Sequence, residues 1–204
     1  MHVAVAGNIG AGKTSLTEIL AKYYGWKPHF ENADENPYLN DFYKDMQRWA
    51  YNLQIFFLNS RFHDIMKIQR FGENVIQDRT IYEDAEIFAP NLHDMGLMST
   101  RDFLTYRSLY YMINRLAKAP DLLIYLRASV PTLVSQIQKR GREYESSIRP
   151  DYLRQLNNRY EAWISNYQSS KLLIFNVDEM DFISNPEKIN NITDSINSEI
   201  HELL

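Results

Sequence analysis

A chain of 204 residues with 45% apolar side chains is long enough to bury one substantial core, which predicts a single domain over residues 1–204. The formal net charge of −4 and the pI near 5.7 give no general attraction to polyanions, and no local basic stripe indicates a nucleic-acid partner. Small molecules are therefore the expected partners. The absence of cysteine excludes disulfides and thiolate chemistry.

Neither a membrane span nor an export signal is evident in the sequence. The longest clear apolar run is LLIYL at 122–126, far short of the roughly 18 to 20 residues that cross a bilayer. The first residues lead directly into a strand-like stretch, without the basic region and long apolar segment of a secretory signal. We therefore expect no membrane partner and a cytoplasmic location, which the lack of cysteine also fits.

Short apolar runs alternate with longer segments of helical periodicity along the whole chain. The runs predict strands buried on both faces at residues 2–6, 27–30, 74–77, 122–126 and 172–176. Alternating strands and helices predict right-handed βαβ units, and therefore an α/β fold with a five-stranded parallel sheet flanked by helices. In such a sheet, ligands bind at the carboxyl ends of the strands.

The segments between the strands predict helices. The first helix is expected over about 12–24, and the stretch after Pro37 predicts one long helix or two with a break. Residues 99–117 and 150–168 are further helical candidates. The segment APNLHDMGLMS at 89–99 is expected to form a loop or an insertion.

The segment GNIGAGKT matches the pattern GxxxxGK[ST] in full, after a predicted strand and before a predicted helix. Its predicted phosphate-binding residues are Gly7, Asn8, Ile9, Gly10, Ala11, Gly12, Lys13 and Thr14. Loop amides and the helix start would face the phosphates, with Lys13 bridging the β- and γ-phosphates and Thr14 offering its hydroxyl to Mg²⁺. A plain glycine-rich turn is the alternative, and the motif does not identify the acceptor.

Other groups decide which class of P-loop protein this is. A GTPase would carry a guanine-binding NKxD segment, and the sequence has none. A kinase of small molecules needs a second carboxylate near the metal and a base or positioning group for the acceptor hydroxyl. It also needs cations that close over the transferring phosphoryl group. Each of these groups has a candidate in the sequence.

Two strand ends supply candidate carboxylates. Asp78 follows the third predicted strand and suits the water shell of a metal, with Arg79 beside it for the acceptor oxygen or a phosphate. A helix cap is the alternative role for Asp78. Glu31 follows the second predicted strand and could take the proton of an incoming hydroxyl, although a lone glutamate there is more often an exposed loop residue.

The segment KRGRE at 139–143 supplies candidate cations. Arg140 and Arg142 flank a glycine, which suits a mobile lid over about residues 136–148 that brings guanidinium groups over the phosphates. The alternative is a solvated helix end that carries favourable positive charge.

Six segments in order along nearly the whole chain carry a family resemblance. They are GNIGAGKT, FENADENPY, QIFFLNSR, DRTIYEDAEIFA, YLRAS with KRGREYE, and FNVDEMDF. The sequence resembles the deoxyribonucleoside kinases, in the branch that includes deoxycytidine, deoxyguanosine and bacterial deoxyadenosine kinases. Thymidylate kinases share the P-loop and a DR motif but are less similar around Glu31 and between Tyr43 and Arg61. The resemblance implies a three-layer P-loop kinase fold.

The resemblance assigns roles at the acceptor hydroxyls. Glu31 is implied as the general base for the 5′-hydroxyl of a deoxynucleoside, with Arg79 beside it. Tyr43 and Glu145 match the positions that hold the sugar 3′-hydroxyl. The resemblance therefore favours a catalytic Glu31 over an exposed loop residue.

The resemblance also assigns recognition of the base. Gln54 matches a glutamine that hydrogen-bonds the base, and Phe88 falls where an aromatic ring stacks on it, although helix packing is an alternative for both. Arg61 and Asp84 form a charged pair that accompanies recognition of cytosine or purines in the family. An arginine offers parallel donors and a carboxylate only acceptors, which suits a base with an amino group and a ring nitrogen. This role requires the pair to lie in a buried cleft.

The last segment resembles the loop over the adenine of the donor, with Asp181 and Phe182 as the implied contacts. Two positions depart from the family pattern. Gln136 stands where many relatives place another lid arginine, which leaves the lid to Arg140 and Arg142. The usual Glu-Pro at the second strand end is changed to Glu-Asn here, which alters the local loop but keeps the carboxylate of Glu31.

The sequence thus predicts ATP- and Mg²⁺-dependent phosphorylation of a deoxynucleoside 5′-hydroxyl, with deoxyadenosine first, then deoxyguanosine or deoxycytidine. Thr14 and Asp78 are the expected metal ligands. The alternatives are a nucleoside monophosphate kinase of the thymidylate type and a nucleotide-binding regulatory module without turnover. By resemblance the protein is a homodimer formed through long helices, for which the aromatic residues between Trp49 and Phe62 would suit the interface.

Overall fold

The computed structural model describes residues 1–31, 33–180 and 186–203. Its centre is a five-stranded sheet in the order β2-β3-β1-β4-β5, and every neighbouring pair is parallel. The strands are β1 (His2–Gly7), β2 (Lys27–His29), β3 (Val75–Asp78), β4 (Leu122–Arg127) and β5 (Lys171–Asn176). The predicted α/β fold with its five-stranded parallel sheet is confirmed.

Helices connect the strands and cover both faces of the sheet. They are α1 (Lys13–Tyr24), α2 (Leu39–Lys44), α3 (Met46–Phe71), α4 (Ile81–Glu83), α5 (Ala89–Asp94), α6 (Thr100–Asn114), α7 (Val130–Arg140), α8 (Pro150–Ser165) and α9 (Pro186–Leu203). Short 3₁₀ turns lie at Ala33–Glu35 and Glu143–Ser147. None of the helices within the described ranges is both long and apolar enough to span a membrane.

The stretch after Pro37 forms two helices, α2 and α3, and the break between them has a local cause. Asp45 leaves the helical region (φ −144°, ψ 84°), and its side chain accepts a hydrogen bond of 3.0 Å from the backbone N–H of Arg48. A carboxylate in this position caps the first turn of α3. α3 then runs for 26 residues and ends at Gly72 in the left-handed conformation.

The expected loop at 89–99 is wrong for its first half. Residues 89–94 form α5, which continues the chain of helical turns begun by α4. Pro90 lies in the first turn of α5, where a residue without an N–H is tolerated, so proline does not prevent this helix. Leu92 is fully buried, which adds a packing reason for the helix that turn residues alone do not reveal.

Alternation along β1 explains the three layers. Val3 and Val5 pack into one apolar cluster, which also contains Leu16 and Leu20 of α1. Ala4 and Ala6 face a second cluster on the other side of the sheet, built on α3, α6 and α8. Because both faces of β1 are buried, its side chains form a continuous apolar run. Because β2, β3 and β1 are parallel neighbours in the sheet, their carboxyl ends lie side by side at one edge.

Candidate active site

The P-loop connects β1 to α1 in the conformation that its glycines allow. Gly10 (φ 86°) and Gly12 (φ 91°) lie in the left-handed region. A Cβ at Gly10 would lie 2.8 Å from the backbone oxygen of Leu133, so the loop also packs tightly against α7. The Nζ of Lys13 donates to the backbone oxygen of Asn8 at 3.1 Å, which closes the loop around the lysine.

Thr14 and Asp78 lie together beside the P-loop. The hydroxyl of Thr14 donates to Oδ2 of Asp78 at 2.5 Å, and burial raises the pKa of Asp78. Oδ1 of Asp78 is buried and has no hydrogen-bond partner within the part of the chain that the structure describes. A hydroxyl and a carboxylate with an unused oxygen fit Mg²⁺, which takes one or two protein ligands together with phosphate oxygens.

The helix after β3 has a different cap from the one considered for Asp78. Thr80 occupies the N-cap of α4, and Glu83 closes a capping box with it: Oε2 of Glu83 accepts the backbone N–H of Thr80 at 2.7 Å. Asp78 is the last residue of β3, and its side chain turns toward the P-loop instead. The capping alternative for Asp78 is therefore wrong.

Glu31 lies between two buried arginines just after β2. Nε of Arg79 is 2.9 Å from Oε2 of Glu31, and Nη2 of Arg61 is 2.6 Å from Oε1. Burial alone would raise the pKa of Glu31, but the positive charges of Arg79, Arg61 and Lys13 outweigh it and hold this pKa far below its ordinary range. Glu31 is thus an ionised carboxylate in the cleft, and not an exposed loop residue.

The backbone at Arg79 directs its side chain into the site. Arg79 has φ 68°, a left-handed conformation that is unusual for a residue with a Cβ, and its N–H donates to the oxygen of Val5 at 2.9 Å. β3 therefore ends in a sharp turn pinned to β1. The guanidinium of Arg79 lies 4.6 Å from the ring centroid of Phe88.

Arg61 contacts two carboxylates at once. Its Nε donates to Oδ2 of Asp84, and both side chains are almost fully buried. The buried location that base recognition requires is therefore present. The contact of Arg61 with Glu31 was not anticipated from the sequence, because α3 and the end of β2 are brought together only by the fold.

A π-helical turn at Asp84–Phe88 separates α4 from α5. Its first carbonyl, on Asp84, accepts the N–H of Ala89, five residues on. Asp84 and Phe88 both line the cleft as a result. Such a turn inserts one residue into a helix and is frequent at functional sites. No pattern in the segment DAEIF predicts this π turn.

Most of the predicted residues converge on one cleft, whose empty volume including its mouth is about 870 Å³. Those that line it are Ile9, Gly10, Lys13, Thr14, Glu31, Tyr43, Gln54, Arg79, Asp84, Phe88, Arg140, Arg142 and Glu145. Gly7, Asn8, Ala11 and Gly12 belong to the P-loop but are not among the residues that line this cleft. Arg61 and Asp78 lie directly behind it, in contact with Glu31 and Thr14. Asp181 and Phe182 lie outside the described residues.

Gln54 is 2% exposed on α3 and faces the cleft. Its Oε1 is buried and accepts no hydrogen bond from the described residues. A buried amide oxygen without a partner is costly, so a polar ligand group is its natural complement. The geometry favours a ligand contact over simple helix packing for Gln54.

The segment expected to form a lid pairs two residues to which the sequence gave separate roles. Arg140 at the end of α7 forms a two-pronged ion pair with Glu145, with Nη2–Oε1 at 2.5 Å and Nε–Oε2 at 3.0 Å. Tyr43 stacks on Tyr144 with ring centroids 5.7 Å apart. In this segment a residue expected to contact the sugar is therefore paired with one expected to contact the phosphates.

Comparison with known proteins agrees with this geometry. The family profile described as deoxynucleoside kinase matches residues 3–201. The chain belongs to the deoxynucleoside kinase family. Membership of this family makes the chain a transferase, and it favours deoxynucleoside kinase activity over a thymidylate-type kinase and over a nucleotide-binding module without turnover.

Several relatives cover nearly the whole of this deoxynucleoside kinase. It is 40% identical to a deoxyadenosine/deoxycytidine kinase of Bacillus subtilis (strain 168), over 98% of this chain and 93% of that protein. It is 39% identical to a deoxyguanosine kinase of Lactobacillus acidophilus, over 98% and 91%. A solved deoxyadenosine kinase from M. mycoides, with products dCMP and a flexible dCDP bound, matches with a TM-score of 0.87, 32% identity, and coverage of 97% and 100%.

The apolar wall of the cleft of this kinase was missed by sequence reasoning. Its members are Ala33, Leu39, Phe42, Leu53, Phe57, Tyr144 and Tyr152. Those on α2, α3 and α8 occur at the same helical spacing as core residues, so the sequence holds no signal there that separates cleft from core. Gln136 is half-buried on α7 and is not among the residues that line the cleft.

Lys13 gives a prediction for donor binding by this deoxynucleoside kinase. Burial, aided by the charge of Arg79, lowers the pKa of Lys13 to about 8. Bound phosphates favour the protonated lysine and raise its pKa, so binding of Mg·ATP without nucleoside should take up about half a proton at pH 8 and much less at pH 7. Titration calorimetry in two buffers of different ionisation enthalpy measures this number. An uptake near zero at pH 8 would contradict the prediction.

Proposed function

We propose that this enzyme phosphorylates the 5′-hydroxyl of deoxyadenosine, and less efficiently of deoxyguanosine or deoxycytidine, with ATP as donor and Mg²⁺ as metal. One observation carries the proposal: a single cleft is lined by P-loop residues, the ionised Glu31 and Asp84, and Arg61 lies directly behind it in contact with both carboxylates. The donor phosphate site and the acceptor site therefore face each other. The names of the relatives support the range of bases.

The donor side is built from the P-loop and the end of β3. Loop amides and Lys13 would cradle the β- and γ-phosphates, and Thr14 and Asp78 would hold Mg²⁺, which supplies charge neutralisation at the phosphate oxygens. Lys13 must exchange its hydrogen bond to Asn8 for a phosphate oxygen. Arg140 and Arg142 line the same cleft and are proposed to close over the transferring group.

The acceptor side is built around Glu31. The carboxylate would accept the hydrogen of the 5′-hydroxyl and aim its oxygen at the γ-phosphorus. As the new P–O bond forms, the bond to the β–γ bridging oxygen breaks and the hydroxyl proton passes to Glu31. Because Arg79 and Arg61 keep Glu31 strongly acidic, the proton should move late, when the attacking oxygen has lost basicity. A loose transition state demands little of the base before that point.

The remaining polar groups are proposed to select a deoxynucleoside with an amino-bearing base. Tyr43 and Glu145 line the cleft and are proposed to hold the sugar 3′-hydroxyl. Asp84 is an acceptor and Arg61 a donor, which suits an exocyclic amino group beside a ring nitrogen. The carbonyl and methyl group of thymine supply no hydrogen-bond donor for Asp84. Gln54 supplies a further polar contact, and Phe88 a stacking surface.

A panel of the four deoxynucleosides tests the choice of base. We expect deoxyadenosine to have the highest kcat/KM and thymidine a value about 100-fold lower, because a buried polar pair left unmatched is costly. The substitution Asp84→Asn replaces an acceptor by a group that also donates, and should narrow this difference. Equal or preferred turnover of thymidine by the unaltered enzyme would refute the base assignment.

The role of Glu31 is tested by Glu31→Gln, which keeps the size of the side chain but removes its charge and basicity. We expect kcat to fall by about 10²–10⁴-fold, with a much smaller change in KM for the nucleoside, because the proton transfer is made in the transition state. Steady-state kinetics measure both. Glu161→Gln is the matched control, since Glu161 pairs with Arg127 at the surface. A near-normal kcat for Glu31→Gln would remove Glu31 from this role.

We also propose a homodimer formed through α3 and α6. An apolar groove lies between these helices, lined by Tyr38, Tyr51, Asn52, Ile55, Phe56, Asn59, Phe62, Leu109 and Ile113. Leu104 and Met112 on α6, and Leu116 just beyond its end, are each more than half exposed. An apolar surface of this extent on two neighbouring long helices suits a self-complementary interface.

Sedimentation velocity tests the dimer. The unaltered protein should sediment at about twice the chain mass of 24.1 kDa. Leu109→Glu places a charge in the groove and should shift the protein to the monomer. Tyr23→Glu is the control, because Tyr23 is also exposed but lies on α1. A monomeric unaltered protein would refute the proposal.

A further inference from the structure

A buried hydrogen-bond network lies behind Arg79, on the side away from Glu31. Nη1 of Arg79 donates to the hydroxyl of Tyr160 at 2.9 Å. That hydroxyl also lies 2.8 Å from Oε1 of Glu83 and 2.8 Å from the backbone oxygen of Gly7. Tyr160 and Glu83 are both fully buried. The proposed roles of the site residues assign nothing to either of them.

The donor and acceptor count of this network is specific. A tyrosine hydroxyl has one proton, so Tyr160 accepts from Arg79 and donates to either Glu83 or Gly7. Burial raises the pKa of Tyr160 well above its ordinary value, which keeps that proton in place. Glu83 completes the network, since its Oε1 accepts the N–H of Gly7 at 3.3 Å and lies 3.5 Å from Nη1 of Arg79.

The network connects three parts of the site that are distant in sequence. Tyr160 comes from α8, Glu83 from α4, and Gly7 is the last residue of β1, where the P-loop begins. The guanidinium of Arg79 has a different partner on each side: Nε donates to Glu31, and Nη1 donates to Tyr160. These two hydrogen bonds together restrain rotation of the guanidinium.

We propose that Tyr160 is a positioning residue for phosphoryl transfer: its hydroxyl fixes the guanidinium of Arg79 against Glu31 and ties both to the first residue of the P-loop. This inference rests on the proposed roles of Arg79 and Glu31. Without the hydroxyl, Nε of Arg79 can still pair with Glu31, but Nη1 loses its 2.9 Å hydrogen bond and keeps only the longer 3.5 Å contact with Glu83, so the guanidinium is held less firmly. Small errors of alignment between acceptor and donor reduce the rate of reaction more than they reduce binding.

The test is a double-mutant cycle on kcat with Tyr160→Phe, Arg79→Lys and the double variant, using the nucleoside that the enzyme turns over best. We expect Tyr160→Phe to lower kcat about tenfold, with the KM values for nucleoside and ATP changed less than about twofold. In the Arg79→Lys background, Tyr160→Phe should cost less than about twofold, because its effect passes through the arginine.

Tyr125→Phe is the matched control. Tyr125 is also a buried tyrosine, and its ring stacks on that of Tyr160 at 5.8 Å, but its hydroxyl donates to Glu161. The variant Tyr125→Phe should leave kcat unchanged. Its melting temperature shows how much stability the fold loses when a buried tyrosine hydroxyl is removed. A purely structural role for Tyr160 would instead give equal losses of kcat in both Arg79 backgrounds.

Three results would overturn the inference: additive effects of Tyr160→Phe and Arg79→Lys, an unchanged kcat in Tyr160→Phe, or a selective rise in the KM for ATP. If Tyr160→Phe fails to fold, Glu83→Gln removes the charge beside Tyr160 and Arg79 and enters the same cycle. Failure of the proposed function is separate, because it would appear in the unaltered enzyme and in Glu31→Gln. The cycle needs only a measurable kinase reaction.

Discussion

The ion pairs of Glu31 with Arg61 and Arg79 are the interaction on which the rest of the site depends. A carboxylate so little exposed to water is unfavourable unless cations and hydrogen bonds compensate it, and removing either partner would leave an unmatched buried charge. The compensation has consequences in every direction. Arg61 also pairs with Asp84, for which we propose base recognition, and Arg79 also contacts Tyr160 and Glu83, which reach the P-loop. The proposed donor, acceptor and base sites are thus parts of one charge network.

The order of the strands makes this network possible. Because β2, β3 and β1 are neighbours in the sheet, the carboxyl ends of these three parallel strands lie next to one another. Glu31 follows the first, Asp78 and Arg79 end the second, and the P-loop leaves the third. A parallel sheet brings such residues together without any local sequence signal between them. The long helix α3 then adds Gln54 to the lining of the cleft and Arg61 directly behind it.

The sequence predicts those parts of the site that local chemistry determines. Apolar runs located the strands, the glycine pattern located the P-loop, and strand ends located Asp78 and Arg79. The sequence does not predict which side chains the fold pairs. Nothing in the segments around Arg61 and Arg140 shows that their guanidinium groups contact Glu31 and Glu145. The helix at 89–94 was missed because turn-forming residue types there outweigh a weak apolar pattern, whereas burial of Leu92 decides the structure.

The π turn at Asp84–Phe88 has an evolutionary consequence. It holds one residue more than an α-helical turn, and its first and last residues, Asp84 and Phe88, both line the cleft. Removing a residue from this segment would turn everything after it by roughly 100° about the helix axis, since an α-helix advances 3.6 residues per turn. The contour of the cleft is therefore encoded partly in the length of the chain, and insertions or deletions can reshape it as effectively as substitutions.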